Sequence, residues 1–223
     1  MANNTSLRYV AGVSWPRSGH HLLVRLMSGY FGESFNYCEF YSENIDCCRK
    51  FPCERSRQVT FSKNHDFKRE ISTEEKTPYL VQYRDFFNSV TSEFELLVKR
   101  HGERCDNKAE FTKFSVNRSK HYKEFIEKWV NKAQTDTVLR VPYDSLVMNT
   151  VETAKSCILH FSPGAQIDIE KLKTVVKTVD GEKVENQKIV ALPNAGVHAS
   201  RDHKTFRFYD KEWQERIDSI LAS

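Results

Sequence analysis

Six consecutive residues, Pro16-Arg17-Ser18-Gly19-His20-His21, bring together a turn former, a guanidinium, a hydroxyl, a glycine and two imidazoles. Side chains of these types suit an anion. The loop stands between an apolar run rich in β-formers (Tyr9, Val10, Ala11, Val13) and a helical apolar pattern (Leu22, Leu23, Leu26). It is therefore expected at a helix N-terminus, where unpaired backbone N–H groups and the positive end of the helix dipole attract phosphate. Arg17, His20 and His21 would add donors to that cradle. Strand-turn-helix units with one glycine also occur as plain scaffolding, so the loop alone leaves both readings open.

Two more positions offer chemistry. Residues 58–63 (QVTFSK) alternate as a short strand and deliver Asn64, His65 and Asp66 to its carboxyl end, the edge at which ligands sit in open α/β sheets. An imidazole titrates near neutral pH, which suits His65 to a general base beside the cation Lys63. The plain alternative is a satisfied structural histidine. Asp66 is a candidate to orient it, although neighbours on an extended segment point to opposite faces. Arg84 stands where a second strand, 79–83 (YLVQY), stops, and would meet either an anion or a surface carboxylate.

These positions need elements to hold them. A helix is expected from about Asp85 to His101, a polar break from 102 to 117, and helical spacing again over 119–133. A strand at 137–141 (TVLRV), a helix over 150–161, a lysine-rich amphipathic stretch over 167–179 and a closing helix over 210–223 follow, with a polar segment around Asp180-Gly181. Strands alternating with helices predict an α/β three-layer sandwich around a mainly parallel sheet. Residues 30–57 show no sustained period and are expected to form a long irregular excursion. Its aromatics Phe35, Tyr37, Phe40 and Tyr41 would line an acceptor pocket or fold the loop onto the core.

A chain of 223 residues suits one domain spanning 1–223, and 39% hydrophobic residues with 15 Phe and 9 Tyr supply its core. The formal charge of +4 fits an anionic ligand but is far from the dense basic stripe of a nucleic-acid binder. No apolar run reaches the roughly 18 residues of a membrane span, and the start MANNTSLR lacks an apolar signal core, so a cytoplasmic location without a membrane anchor is expected. The sequons at Asn3, Asn4 and Asn117 are then taken as chance. Cys38, Cys47, Cys48 and Cys53 cluster without the paired C-x2-C spacing of zinc sites, leaving free thiols, a loop-closing disulfide or a metal as options.

Four pieces together resemble the sulfotransferases that use 3′-phosphoadenosine 5′-phosphosulfate (PAPS). Pro16-Arg17-Ser18-Gly19-His20-His21-Leu22 is similar to that family's 5′-phosphosulfate loop, and Lys63-Asn64-His65 to the segment whose histidine is the usual base. Arg84-Asp85-Phe86-Phe87-Asn88-Ser89-Val90-Thr91-Ser92 resembles the stretch in which an Arg, and a Ser eight residues later, hold the 3′-phosphate. Tyr143-Asp144-Ser145-Leu146 looks like a segment near the adenosine. Leu22 replaces an adenine-contacting Trp, Phe86 a Pro, and His20 and His21 two small hydroxyl residues. At the C-terminal side only Ser200-Arg201-Asp202-His203-Lys204 precedes Trp213, so Arg201 or Lys204 is the substitute for a second 3′-phosphate grip.

The resemblance implies sulfuryl transfer from PAPS to a hydroxyl of a small-molecule or glycan acceptor, without nucleic acid and without a metal. His65 would be the base, with Arg17 and Lys63 stabilising charge on the leaving phosphate. Arg17, Ser18, Gly19, His20, His21, Arg84, Ser92, Tyr143 and Arg201 would hold the nucleotide. A P-loop kinase or other nucleotide binder shares the strand-loop-helix logic, but the chain lacks G-x-x-x-x-G-K-[ST]. A binding protein on a catalytically inactive sulfotransferase fold is the other reading.

Overall fold

The computed structural model describes residues 7–39, 47–73, 76–133, 137–188 and 202–223. Five strands, β1 (Val10–Ser14), β2 (Tyr37–Glu39), β3 (Phe61–Asn64), β4 (Tyr79–Tyr83) and β5 (Val138–Pro142), form one sheet in the order β2-β3-β1-β4-β5. Every pairing is parallel. The expected mainly parallel sheet is thus parallel throughout. Both faces are covered, because alternate residues of a strand point to opposite sides. Val10 and Leu80 enter one core with Leu22, Leu26 and Ile158; Ala11, Val13, Tyr79 and Val81 enter the other with Phe94, Trp129 and Trp213.

The first core lies under α1 (His20–Phe31), α4 (Tyr143–Met148), α5 (Thr150–Phe161) and α6 (Ile169–Lys188). The second lies under α2 (Phe86–His101), α3 (Lys108–Phe125) and α7 (Lys211–Ala222). Helices on both faces of the sheet make the α/β three-layer sandwich.

Three boundaries differ from the pattern-based expectation. The excursion after α1 contains edge strand β2, too short to show a period, and its Phe35 is buried in the core while Phe40 and Tyr41 lie outside the described residues. Helix α3 starts at Lys108, inside the expected polar break. Asn107 caps it by accepting from the Glu110 N–H at 2.9 Å, and the inner face is partly serine: Ser115 and Ser119 are buried with Phe111, and the Ser115 hydroxyl accepts from Trp213 Nε1 at 2.8 Å. Buried hydroxyls satisfied in this way hide a helix from a hydrophobic-period reading. Helix α6 runs through Asp180-Gly181 to Lys188 instead of stopping before them.

The chain crosses from β3 on one side of β1 to β4 on the other, which makes β1 the switch point of the sheet. Ligands in such sheets bind in the crevice outside the carboxyl ends at that point. Register aligns Val13 with Asn64, Ser14 with Gln82, and Gln82 with Val141. The 15–19 loop, His65, Arg84 and Tyr143, which follow β1, β3, β4 and β5, consequently leave the sheet on one edge.

Candidate functional site

The loop after β1 is shaped by two left-handed residues, Arg17 at φ 63° and Gly19 at φ 80°. Glycine adopts that conformation without penalty, and here it has a second reason to be glycine. A Cβ on Gly19 would lie 2.9 Å from Tyr143 Cδ2. Arg17 has no such excuse, and a non-glycine held at positive φ marks a place where the surroundings dictate the backbone. The turn aims its side chain at α2, where Arg17 Nε donates to Ser92 Oγ at 2.9 Å. Ser92 lies about two turns into a helix capped by the Asp85 carboxylate, which accepts from the Asn88 N–H at 2.9 Å.

Arg84 stands over the Tyr143 ring at 4.1 Å, and its Nη1 donates to the Arg17 carbonyl at 3.4 Å. Two guanidiniums therefore lie beside the loop that leads into α1, one reaching α2 and one over Tyr143. Burial, and after it the charge of Arg84, lowers the pKa of Arg17, yet a guanidinium keeps its proton in proteins. Two half-buried guanidiniums in one cleft make it favourable to anionic groups.

On the other side of the loop, His65 is held by Ser14 at the end of β1. Its Nδ1 lies 2.5 Å from the Ser14 carbonyl oxygen, which can only accept, so Nδ1 carries the proton and Nε2 the lone pair. Burial, followed by the charge of Lys63, lowers the His65 pKa to about 4, which keeps the ring neutral. Lys63 is itself buried, with its ammonium 3.6 Å from a Glu39 carboxylate oxygen; burial lowers its pKa and Glu39 pulls the other way. Asp66 does not orient His65. Its Oδ2 accepts from Lys128 Nζ at 2.7 Å and Trp129 Nε1 at 2.9 Å, which ties the turn after β3 to the π-helical continuation of α3.

Arg17, Lys63, His65, Arg84, Ser92 and Tyr143 all line one cleft of about 1120 Å³, together with Gly19, His20 and His21. The arrangement divides the loop's side chains. The His20 ring is fully engaged, Nδ1 with Gln82 Oε1 at 3.1 Å and Nε2 with Tyr37 Oη at 2.9 Å, and it stacks on Phe61. Burial, then Lys63, holds its pKa well below the usual histidine range. Its imidazole is a structural peg, contrary to the expected ring donor, and only its backbone belongs to the helix N-terminus. Ser18 is buried and does not line the cleft; its carbonyl accepts from Gln82 Nε2 at 3.3 Å. Arg201 lies outside the described residues, and Lys204 is exposed and does not line the cleft.

The cleft also holds residues that motif reading passed over. Arg118 of α3 pairs with Glu93 of α2 at 2.6 Å and covers the Phe67 ring at 4.6 Å, while Phe67 lies 5.2 Å from His65. Burial raises the Glu93 pKa against the pull of Arg118. His203 stacks on Phe87 at 4.9 Å. Asn88 Oδ1, Glu93 Oε2, Arg118 Nε and His203 Nε2 are buried polar atoms without a protein hydrogen bond, and all four residues line this cleft. Such atoms concentrated at one place mark a site rather than a core. Arg118 falls between the polar break expected to 117 and the helix expected from 119, and Glu93 carries no motif of its own beside Ser92.

No protein-family model and no curated protein matches the chain. Among the described residues no group of three or more His, Cys, Asp or Glu is placed to hold a metal ion. No helix among them is long and apolar enough to cross a membrane.

Proposed function

We propose that this protein is a sulfotransferase that moves a sulfuryl group from PAPS to a hydroxyl of a small-molecule or carbohydrate acceptor. The observation that carries the proposal is the fixed tautomer of His65: a neutral imidazole with Nδ1–H on the Ser14 carbonyl, in the same cleft as two arginines at a helix N-terminus. The 5′-phosphosulfate end belongs at the N-terminus of α1, with Arg17 beside it, and the 3′-phosphate belongs with Arg84 and Ser92. His65 Nε2 takes the acceptor's hydroxyl proton as the acceptor oxygen bonds to sulfur and the bond from sulfur to the bridging phosphate oxygen breaks. Negative charge then collects on the departing phosphate, where Arg17 and Lys63 supply fixed positive charge. The basic cleft and the parallel sheet suit a P-loop kinase equally; the order of the motifs along strand ends and a loop without a Lys-Ser/Thr pair support this reading over a kinase.

The test uses the desulfonated nucleotide, adenosine 3′,5′-bisphosphate. A ligand at about 100 times its Kd adds about 2.7 kcal/mol, a Tm rise of roughly 5–10 °C for a chain of this size. Arg84→Ala is expected to remove most of that rise. His65→Ala is expected to keep it and abolish sulfate transfer from PAPS to a panel of hydroxyl acceptors. No Tm shift with saturating nucleotide refutes the proposal, and a shift without transfer to any acceptor leaves a nucleotide-binding protein.

A further inference from the structure

We infer that Cys38 of β2 and the three cysteines between β2 and β3 are a redox clasp, Cys38 pairing with Cys47 and Cys48 with Cys53, closed as two disulfides by exchange with a small-molecule disulfide of the glutathione type. All four are free thiols in this structure. Four cysteines allow three connectivities. Geometry selects one, because Cys48 Sγ lies 3.6 Å from Cys53 Sγ and Cys38 Sγ lies 3.9 Å from Cys47 Sγ. A disulfide needs about 2.05 Å, so each pair must close by less than about 2 Å. The partners that must move can do so: Cys47 and Cys48 sit in chain without regular secondary structure. Their partners are anchored. Cys38 is in β2, and the Cys53 N–H donates to Tyr9 Oη at 2.8 Å, which in turn meets Ser62 Oγ of β3 at 2.6 Å.

The order of reaction follows from the thiols' surroundings. Burial raises Cys53 and pushes Cys38 up to about 11. At Cys48 burial is the largest single influence and pushes the pKa up, but hydrogen bonds with the backbone of Lys50, Glu54 and Arg55 and with Cys53 together outweigh it, so the pKa is lowered. The Cys48 thiolate is therefore the attacking group. It bonds to one sulfur of glutathione disulfide and expels the other as a glutathione thiolate, which takes up the proton Cys48 released. Cys53 then attacks the Cys48 sulfur, its proton leaving with the second glutathione. Two protein thiols are oxidised and one glutathione disulfide is reduced to two glutathiones. Cys38 and Cys47 close by the same exchange. The clasp grips the edge of the cleft, since Cys38 directly precedes Glu39, the partner of Lys63.

The full chain equilibrated with glutathione disulfide, then unfolded for thiol counting, is expected to fall from six free thiols to two, Cys105 and Cys157. Tryptic cleavage after Arg49 and Lys50 separates Cys53 from Cys47 and Cys48, so the oxidised chain yields the Cys53 peptide linked to the Cys48 peptide. Cys47→Ser keeps that link and Cys48→Ser loses it. Retention of six thiols overturns the inference, as does a Cys53 link that survives Cys48→Ser or disappears in Cys47→Ser. Purification of the chain with one tightly held zinc on these thiols overturns it in favour of a thiolate metal site.

Discussion

Acidification is expected to destabilise this protein through His65, and the size of the effect follows from its surroundings. The ring is neutral in the folded state because burial and Lys63 lower its pKa to about 4, against 6.5 for an exposed histidine. The unfolded chain therefore binds a proton that the folded chain refuses. Stability is fully present above the unfolded value and is lost as pH falls from 6.5 toward about 4. Between about pH 7.5 and about pH 5 this one group costs about 2 kcal/mol, a Tm loss of roughly 4–8 °C. His160 is also lowered to about 4, by burial and then Arg8, and adds its own loss over the same window. Comparison with His65→Asn isolates His65, because the Asn amide can still donate to the Ser14 carbonyl but does not titrate. Urea unfolding of both proteins at both pH values gives the difference directly, and NMR titration of the imidazole checks its source. Equal acid losses in the two proteins, or an imidazole that titrates near its ordinary value, refute the reasoning and with it the neutral base.

Two substitutions in the loop separate chemistry from architecture. Arg17→Ala removes the bond to Ser92 and, on the proposed sulfuryl transfer, a cation beside the departing phosphate; it is expected to slow single-turnover transfer by about 10²-fold or more while weakening bisphosphate binding by less, and equal losses in rate and in calorimetric affinity would place Arg17 in binding alone. Gly19→Ala puts a Cβ 2.9 Å from Tyr143 at a φ of +80°. It is expected to cost roughly 2 kcal/mol, read as a lower urea midpoint, and to weaken nucleotide binding, because Tyr143 supports Arg84. An unchanged midpoint would mean that the loop relaxes without Tyr143.

Local signals were enough to place much of this protein. A β-rich run, a turn and a helical period located the loop at Arg17, and strand ends located His65 and Arg84, because each signal is carried by neighbouring residues. The pattern does not reveal β2, which is only three residues long, or the start of α3, whose buried face mixes Phe111 with Ser115 and Ser119, hydroxyls satisfied by carbonyls within the helix and, at Ser115, by Trp213 as well. It also gave the His20 ring to a ligand, because nothing near it in sequence announces Gln82 and Tyr37 as its partners.

Residue types and spacing by themselves determined an α/β chain with a loop at a helix N-terminus and two candidate groups at strand ends, His65 and Arg84. Only the tertiary structure decided that those ends lie on one edge of a parallel sheet and that Arg17 reaches Ser92. It alone fixed the His65 tautomer, through a carbonyl 51 residues away in sequence. Strand order and register are set by packing two cores at once, and a proton's position by an acceptor brought near only in the fold. Neither quantity is encoded in any local window of the chain.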